Sequence, residues 1–277
     1  MCILFINTNP SPKKGGYRLI LATNRDENYQ RPAKPAHRDE YGIIGGKDLG
    51  SGREGGTWLA CGPKSPENGR SKMFCIGHIL NMAGVRLENP IGRGFIIQNY
   101  LLSIDGFQDY VRELDQTTYN GYNFVTVEIG EGGITVNHHS NVPNITSKYD
   151  GEHVLVFGNA PIYSPSVRVV KGKQKFEDLI KKDIHTKENL IQELLKLLKD
   201  ETTYLTESSS VNQHTSPYLN LSSVFIKSKD LCFGTRTHTI ILVDEDWNLT
   251  FVEHTLEEPI EVNDQKWLET TFQIKLK

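Results

Sequence analysis

Cysteine is scarce and unpatterned in this sequence: four thiols in 277 residues, at Cys2, Cys61, Cys75 and Cys232, with no Cys-x-x-Cys pair. That excludes a zinc ribbon or a disulfide framework and predicts reduced thiols in an intracellular protein. An excess of one charge is also lacking. Lys and Arg total 31 against 34 Asp and Glu, a net of −3, so no electrostatic footprint for nucleic acid arises. The Lys-rich stretch from Lys171 to Lys199 alternates with acids, the pattern of a solvated helix face. Long apolar runs are absent. The first ends at Ile6, before Asn7-Thr8-Asn9-Pro10, too short for a signal peptide or a membrane span. Residue 2 is not glycine, which excludes N-myristoylation, and a lipid on Cys2 would give peripheral association only. The histidines show no His-Glu-x-x-His spacing, the Gly52–Gly56 run lacks the Lys-Ser/Thr of a phosphate loop, and no Cys-Pro dipeptide marks a regulatory heme thiolate. Neither a resident metal nor a catalytic cofactor is expected.

What is present reads as ordinary globular composition, 37% hydrophobic and 23% charged, enough chain for one large domain over 1–277 with a real core. Apolar runs at 2–8 and 17–23 flank Asn9-Pro10-Ser11-Pro12-Lys13-Lys14-Gly15-Gly16, a hairpin with a loose loop. A polar loop carrying Asn24-Arg25-Asp26-Glu27 is expected next, then an extended stretch with Pro32 and Pro35. Strands are predicted at 56–61, 73–80, 122–129, 133–138 and 153–157. Helical spacing over 93–115 is broken at Gly106, and a second helical block covers about 172–200. The Ser/Thr-rich stretch 202–216 reads as a mobile loop, and closing strands are predicted near 221–227, 238–244, 248–255 and 270–276. Strands and helices come in blocks, which predicts an α+β fold: two antiparallel sheets sandwiched between helical layers.

Cys2 is the most informative residue. Removal of Met1 would leave it with a free α-amine beside its thiol. That amine, with a pKa of about 7.7–8.0, can act as base for its own side chain. The alternative is a small apolar residue opening an ordinary strand. Hairpin geometry brings the end of the second strand back to the start of the first, so Asp26 or Arg25 would stand near Cys2. An Arg there would lower the thiol pKa, and an Asp would hold the amine. The other reading of Asn24 and Asp26 is a turn bonded to local backbone. Asn81 closes an apolar strand after Gly77-His78-Ile79-Leu80 and is a candidate oxyanion donor; the alternative, favoured for a lone Asn, is a turn former. Phe157-Gly158-Asn159 repeats the pattern of strand then Asn, and Gly234-Thr235-Arg236-Thr237-His238 places an Arg before another apolar run. The glycines of Gly52-Arg53-Glu54-Gly55-Gly56-Thr57-Trp58-Leu59 suggest close backbone approach at a bulge or a pocket mouth.

The N-terminal Met-Cys-Ile strand, Asn24-Arg25-Asp26-Glu27, Gly55-Gly56-Thr57-Trp58-Leu59 and Gly234-Thr235-Arg236-Thr237 together resemble the NRDE family, that of transport and Golgi organisation 2, over residues 1 to about 272. The resemblance implies a four-layer αββα sandwich like that of N-terminal nucleophile hydrolases of the bile-salt hydrolase and penicillin V acylase branch. Its catalytic roles would fall to Cys2, Asp26, Asn81, Asn159 and Arg236. The family's link to heme mobilisation and to secretory and mitochondrial lipid homeostasis implies an intracellular heme trafficking protein, cytoplasmic with mitochondrial or Golgi association. Arg25, Arg53 or Arg236 would meet propionates, and His78, His238 or Cys2 would ligate iron. Asn24, Glu27 and Trp58 complete the candidate ligand-binding set. The alternative is a cysteine hydrolase cleaving an amide or thioester of an acylated small molecule.

Overall fold

The computed structural model describes residues 2–65, 73–82, 84, 87–116, 118–182, 186–204 and 219–277. Met1 and residues 205–216 of the Ser/Thr-rich stretch lie outside the described residues. The hairpin of β1 (Cys2–Thr8) and β2 (Tyr17–Asn28) is the middle of one antiparallel sheet. On one side β1 pairs with β10 (His153–Phe157). On the other, β2 pairs with β12 (Phe233–Asp244), followed by β13 (Asn248–Leu256) and β14 (Trp267–Lys275), with the short β11 (Lys227–Ser228) beside β12. The second sheet runs in chain order: β3 (Ala33–Arg38), β4 (Ile44–Asp48), β5 (Leu59–Lys64), β6 (Met73–Asn81), β7 (Tyr122–Gly130), β8 (Gly133–Asn141) and β9 (Asn144–Asp150).

Four layers follow from which faces are apolar. Leu4, Ile6, Leu19 and Leu21 of the first sheet pack with Leu59, Ile76, Val125 and Val127 of the second, forming the core between the sheets. The alternate residues Ile3, Phe5, Ile20 and Ala22 face outward and are covered by α3 (Val167–Ile180) and α4 (Lys187–Leu198). Likewise α1 (Ile96–Leu102) and α2 (Phe107–Leu114) cover Cys75, Ile79 and Phe124 on the far side of the second sheet. The inner strands are apolar at nearly every position because both of their faces are covered. Gly172 lets α3 lie on the Phe5 ring, where a Cβ would come within 3.1 Å. Full burial of that ring contributes about 2 kcal/mol. The architecture is the expected αββα sandwich.

Three local expectations change. Asn24-Arg25-Asp26-Glu27 is not a loop but the last part of β2, because β12 supplies a second partner strand opposite Thr237, Thr235 and Gly234. No strand occupies 221–226, and of the expected run only Lys227 is in one, at the start of the two-residue β11. There a 3-10 turn spans Leu219–Ser222, and the backbone of 224–226 is bonded to side chains and loop carbonyls instead. Finally, β3, β4 and β9 form where no strand was expected. Lys34, Pro35 and Lys148 hide the two sheet-edge strands, β3 and β9, from an apolar-pattern reading.

Candidate functional site

Strand alternation divides the Asn24–Glu27 tetrapeptide between two layers. Asn24 and Asp26 continue the outward series of Ile20 and Ala22, whereas Thr23, Arg25 and Glu27 continue the inward series of Leu19 and Leu21. The outward pair is structural. Asn24 Nδ2 donates to the carbonyls of Leu198 (2.8 Å) and Val224 (2.9 Å), and its Oδ1 lies 2.7 Å from His238 Nδ1. Asp26 Oδ1 accepts from Thr235 Oγ1 at 2.7 Å, and Oδ2 accepts from Arg168 Nη1 at 3.0 Å. Arg168 Nη2 in turn donates to Val224 O at 3.0 Å. The two residues thereby pin the end of α4, the 224 segment and α3 to the sheet. The Asp26 carboxylate, proposed from sequence to hold the Cys2 amine, is directed to α3.

The inward pair meets Cys2. Arg25 is the cross-strand partner of Cys2 and shares its face. Its guanidinium is buried 3.8 Å above the Trp58 ring, and Nη1 has no hydrogen-bond partner. Burial, then the Arg236 charge, lowers its pKa to about 10. Trp58 can lie there because residue 46 is glycine: a Cβ would fall 2.5 Å from two carbons of the indole. The Cys2 nitrogen donates to Asn159 Oδ1 at 2.5 Å, and Asn159 Nδ2 donates to Asn81 O at 2.6 Å. Asn81 thus enters through its carbonyl. Burial, and then the Asp26 charge, push the Cys2 thiol pKa up, while the Asp26 backbone N–H and the Arg25 charge act in the opposite direction.

Asn123, which sequence reasoning passed over, holds the turn that carries Asn159. Its Nδ2 donates to Gly158 O (2.9 Å) and Ala160 O (3.0 Å), while Oδ1 meets His138 Nε2 at 3.0 Å. A polar residue inside the apolar run of 122–129 was the available signal.

The remaining candidates disperse. Arg236 sits at the β-bulge between the Thr235 and Thr237 registers. It donates to the carbonyls of Asn28 and Arg31 and to Glu258, clamping the turn after β2. Arg53 is exposed, its Nη1 on Gly52 O at 3.1 Å. Glu27 accepts from its neighbour Asn28 N and lies 3.9 Å from Arg31, which pairs with Asp48 at 2.8 Å. His78 is buried between the sheets against Thr23 Oγ1 (2.9 Å), and burial takes its pKa to about 3. His238 is buried beneath Trp267, rings stacked at 4.6 Å, and burial holds its pKa well below the usual value. Among the described residues, no three His, Cys, Asp or Glu side chains converge as for a metal ion.

A groove of about 350 Å³ runs along the outer edge of β10 beneath α3, lined by Val154, Val156, Phe157, Ile162 and Val169, with Lys173 on its rim. Gln174 and Glu177 share that rim, with Glu177 Oε1 3.9 Å from Lys173 Nζ; the rest of the lining is apolar, and its Phe157 end lies two residues from Asn159.

The family model "Transport and Golgi organisation 2" matches residues 1–258. Relatives include Transport and Golgi organization protein 2 of Drosophila melanogaster, 34% identical over 92% of both chains. The Transport and Golgi organization 2 homolog of Mus musculus is 31% identical over 100% of this chain and 99% of its own, and that of Homo sapiens is 31% identical over 92% and 93%. Among solved structures, the Caenorhabditis elegans N-acylethanolamine-hydrolyzing acid amidase (NAAA) ortholog aligns at a TM-score of 0.47 with 12% identity, over 87% of this chain and 92% of that one. With 258 residues matched from the first onward, and with full-length relatives above 30% identity, this chain belongs to the Transport and Golgi organisation 2 family.

Proposed function

We propose that this chain acts in transport and Golgi organisation, the role its relatives' names carry, as an intracellular heme carrier formed by one domain over 1–277. The observation that supports carriage is the largely apolar groove beneath α3: it is of small-molecule size and has Lys173 on its rim, beside Gln174 and Glu177. A macrocycle would lay its apolar face on Val154, Val156 and Val169 and turn a propionate toward Lys173. His78 and His238 are both bonded inside the protein, so cargo would be held here by apolar contact and charge, without an imidazole from either. The reading places the protein in the cytoplasm, with peripheral contact to mitochondria or Golgi where cargo is taken up and released. No described helix is long and apolar enough to cross a membrane.

Hemin titration followed by the Soret band tests this. Saturable binding is expected, weakened at least tenfold by Val156→Asp and about fivefold by Lys173→Glu, the scale of one partly exposed charge contact. Absence of saturable binding, or equal affinity in Val156→Asp, sinks the carrier reading.

One observation favours a second reading, hydrolysis of an amide or thioester: the Cys2 nitrogen is oriented by Asn159 while Arg25 stands across from the thiol. The Arg236 guanidinium is engaged with Glu258, and the Asp26 carboxylate pairs with Arg168 while its charge also acts on the Cys2 thiol, so this reading rests on Cys2, Asp26, Arg25 and Asn159. An intact mass lacking Met1, with turnover lost in Cys2→Ala, would support this reading. A retained Met1 removes the amine base.

A further inference from the structure

Three arginines are buried among the described residues: Arg25, Arg168 and Arg236. Arg168 pairs with Asp26 at 3.0 Å, and Arg236 pairs with Glu258. Arg25, 4% exposed, forms no ion pair with a carboxylate among the described residues and its Nη1 has no hydrogen-bond partner there, although the charges of Glu27, Asp48 and Glu253 act on it from a distance. A guanidinium keeps its charge at any physiological pH, and a buried charge without a hydrogen-bonded counter-charge costs several kcal/mol. The Trp58 ring beneath it supplies only part of that. The fork is therefore held ready for an acceptor that no described residue provides at hydrogen-bond distance.

The surroundings set the class of acceptor. Cys2, directly opposite on β1, places a thiol on the same inward face. Glu253 on β13 lies on that face as well: it is opposite Thr239, which is opposite Thr23. Its Oε1 accepts from Ala36 N at 2.7 Å and from Thr255 Oγ1 at 2.9 Å, and its Oε2 is buried without a partner. A carboxyl group already present in the same layer makes a dianion such as phosphate costly there. A single negative charge, shared by two oxygens, matches the guanidinium geometry. Of the charges nearby, Asp48 and Glu27 face Arg31, and Arg236 pairs with Glu258.

We propose that the inward face of β1 and β2 is a receptor for a small monocarboxylate, bound by Arg25 and presented beside the sulfur of Cys2. The site is separate from the groove along β10 and depends neither on heme carriage nor on turnover.

Paired alkylating reagents test it on the full chain. Iodoacetate carries a carboxylate and iodoacetamide does not. With either, the Cys2 sulfur attacks the methylene carbon, the C–I bond breaks, iodide leaves and the thiol proton goes to solvent. Cys232, a free and partly exposed thiol, is the internal control. Peptide mass spectrometry should show an iodoacetate-to-iodoacetamide rate ratio at Cys2 about tenfold above that at Cys232, the scale of a charge-assisted hydrogen bond. Arg25→Gln should bring the two ratios together. Millimolar propionate should slow iodoacetamide labelling of Cys2 in the unaltered protein and leave Cys232 untouched, a result that stands even if Arg25→Gln does not fold. Equal ratios at the two thiols, a preference that survives Arg25→Gln, a lack of protection by propionate, or no labelling of Cys2 in the folded protein would each overturn the proposal.

Discussion

Replacing Asp26 by alanine separates two roles for the acid at the centre of the family tetrapeptide. The Asp26 side chain is completely buried, that of Arg168 is 5% exposed, and the ion pair is 3.0 Å long. Removing the carboxylate strands the guanidinium with Val224 O as its one acceptor among the described residues and also ends the Thr235 hydrogen bond. Breaking a buried pair from one side costs about 3–5 kcal/mol, a large share of the roughly 5–15 kcal/mol that keeps a domain folded. With a urea m-value of about 3 kcal/mol/M, the midpoint should fall by about 1 M. Arg168→Met alone should cost about 3 kcal/mol, because it removes the ion-paired partner of a buried carboxylate. The double variant should cost less than Asp26→Ala by itself, since no uncompensated charge remains, giving an interaction of at least about 2 kcal/mol across the cycle. Urea titration followed by circular dichroism measures all four proteins. If the Asp26→Ala midpoint falls by less than about 0.3 M, or if the cycle is additive, the carboxylate does not serve to hold α3. It would then be free for the Cys2 amine, as first expected from the sequence.

Stability should also depend on pH through His78, whose pKa burial takes to about 3. An unfolded imidazole protonates near 6.5, so between these values the unfolded chain binds the extra proton. Stability is then fully present above about 6.5 and falls with acidification by about 1.4 kcal/mol per pH unit, roughly 2 kcal/mol from pH 7 to pH 5. Urea midpoints at the two pH values should show a shallower fall in His78→Gln, and identical falls would contradict the burial argument. Gly46→Ala forces a Cβ to within 2.5 Å of the Trp58 ring. It should cost about 1–3 kcal/mol and shift the tryptophan emission as the indole leaves Arg25. An unchanged thermal midpoint together with unchanged emission would show that Gly46 does not set the ring position.

Most of the layer architecture was legible because it follows from periodicity. Residues 19–22 are apolar on successive positions, as a strand covered on both sides must be, and Gly106 separates two helical patterns as the N-cap of α2. Polar edge strands were not legible, since β3 and β9 owe their conformation to neighbours more than to an apolar face of their own. The end of β2 was taken for a loop for a related reason. Four polar residues in succession look like solvent-facing chain until β12 is seen to lie alongside them.

Residue type named the chemistry available at the site: a thiol at position 2, an Arg-Asp pair after the hairpin, and an Asn after each of two strands. Sequence alone also determined that Arg25 and Asp26 must face opposite ways if that stretch is extended, because side chains alternate along a strand. Only the tertiary structure decided which of the two meets Cys2. That choice depends on the register of β1 against β2, which pairs Cys2 with Arg25 and leaves Asp26 to the helix layer. Register is a property of two strands and of the cores on either side of them. A slip of one residue would exchange the two roles without altering a letter of the sequence.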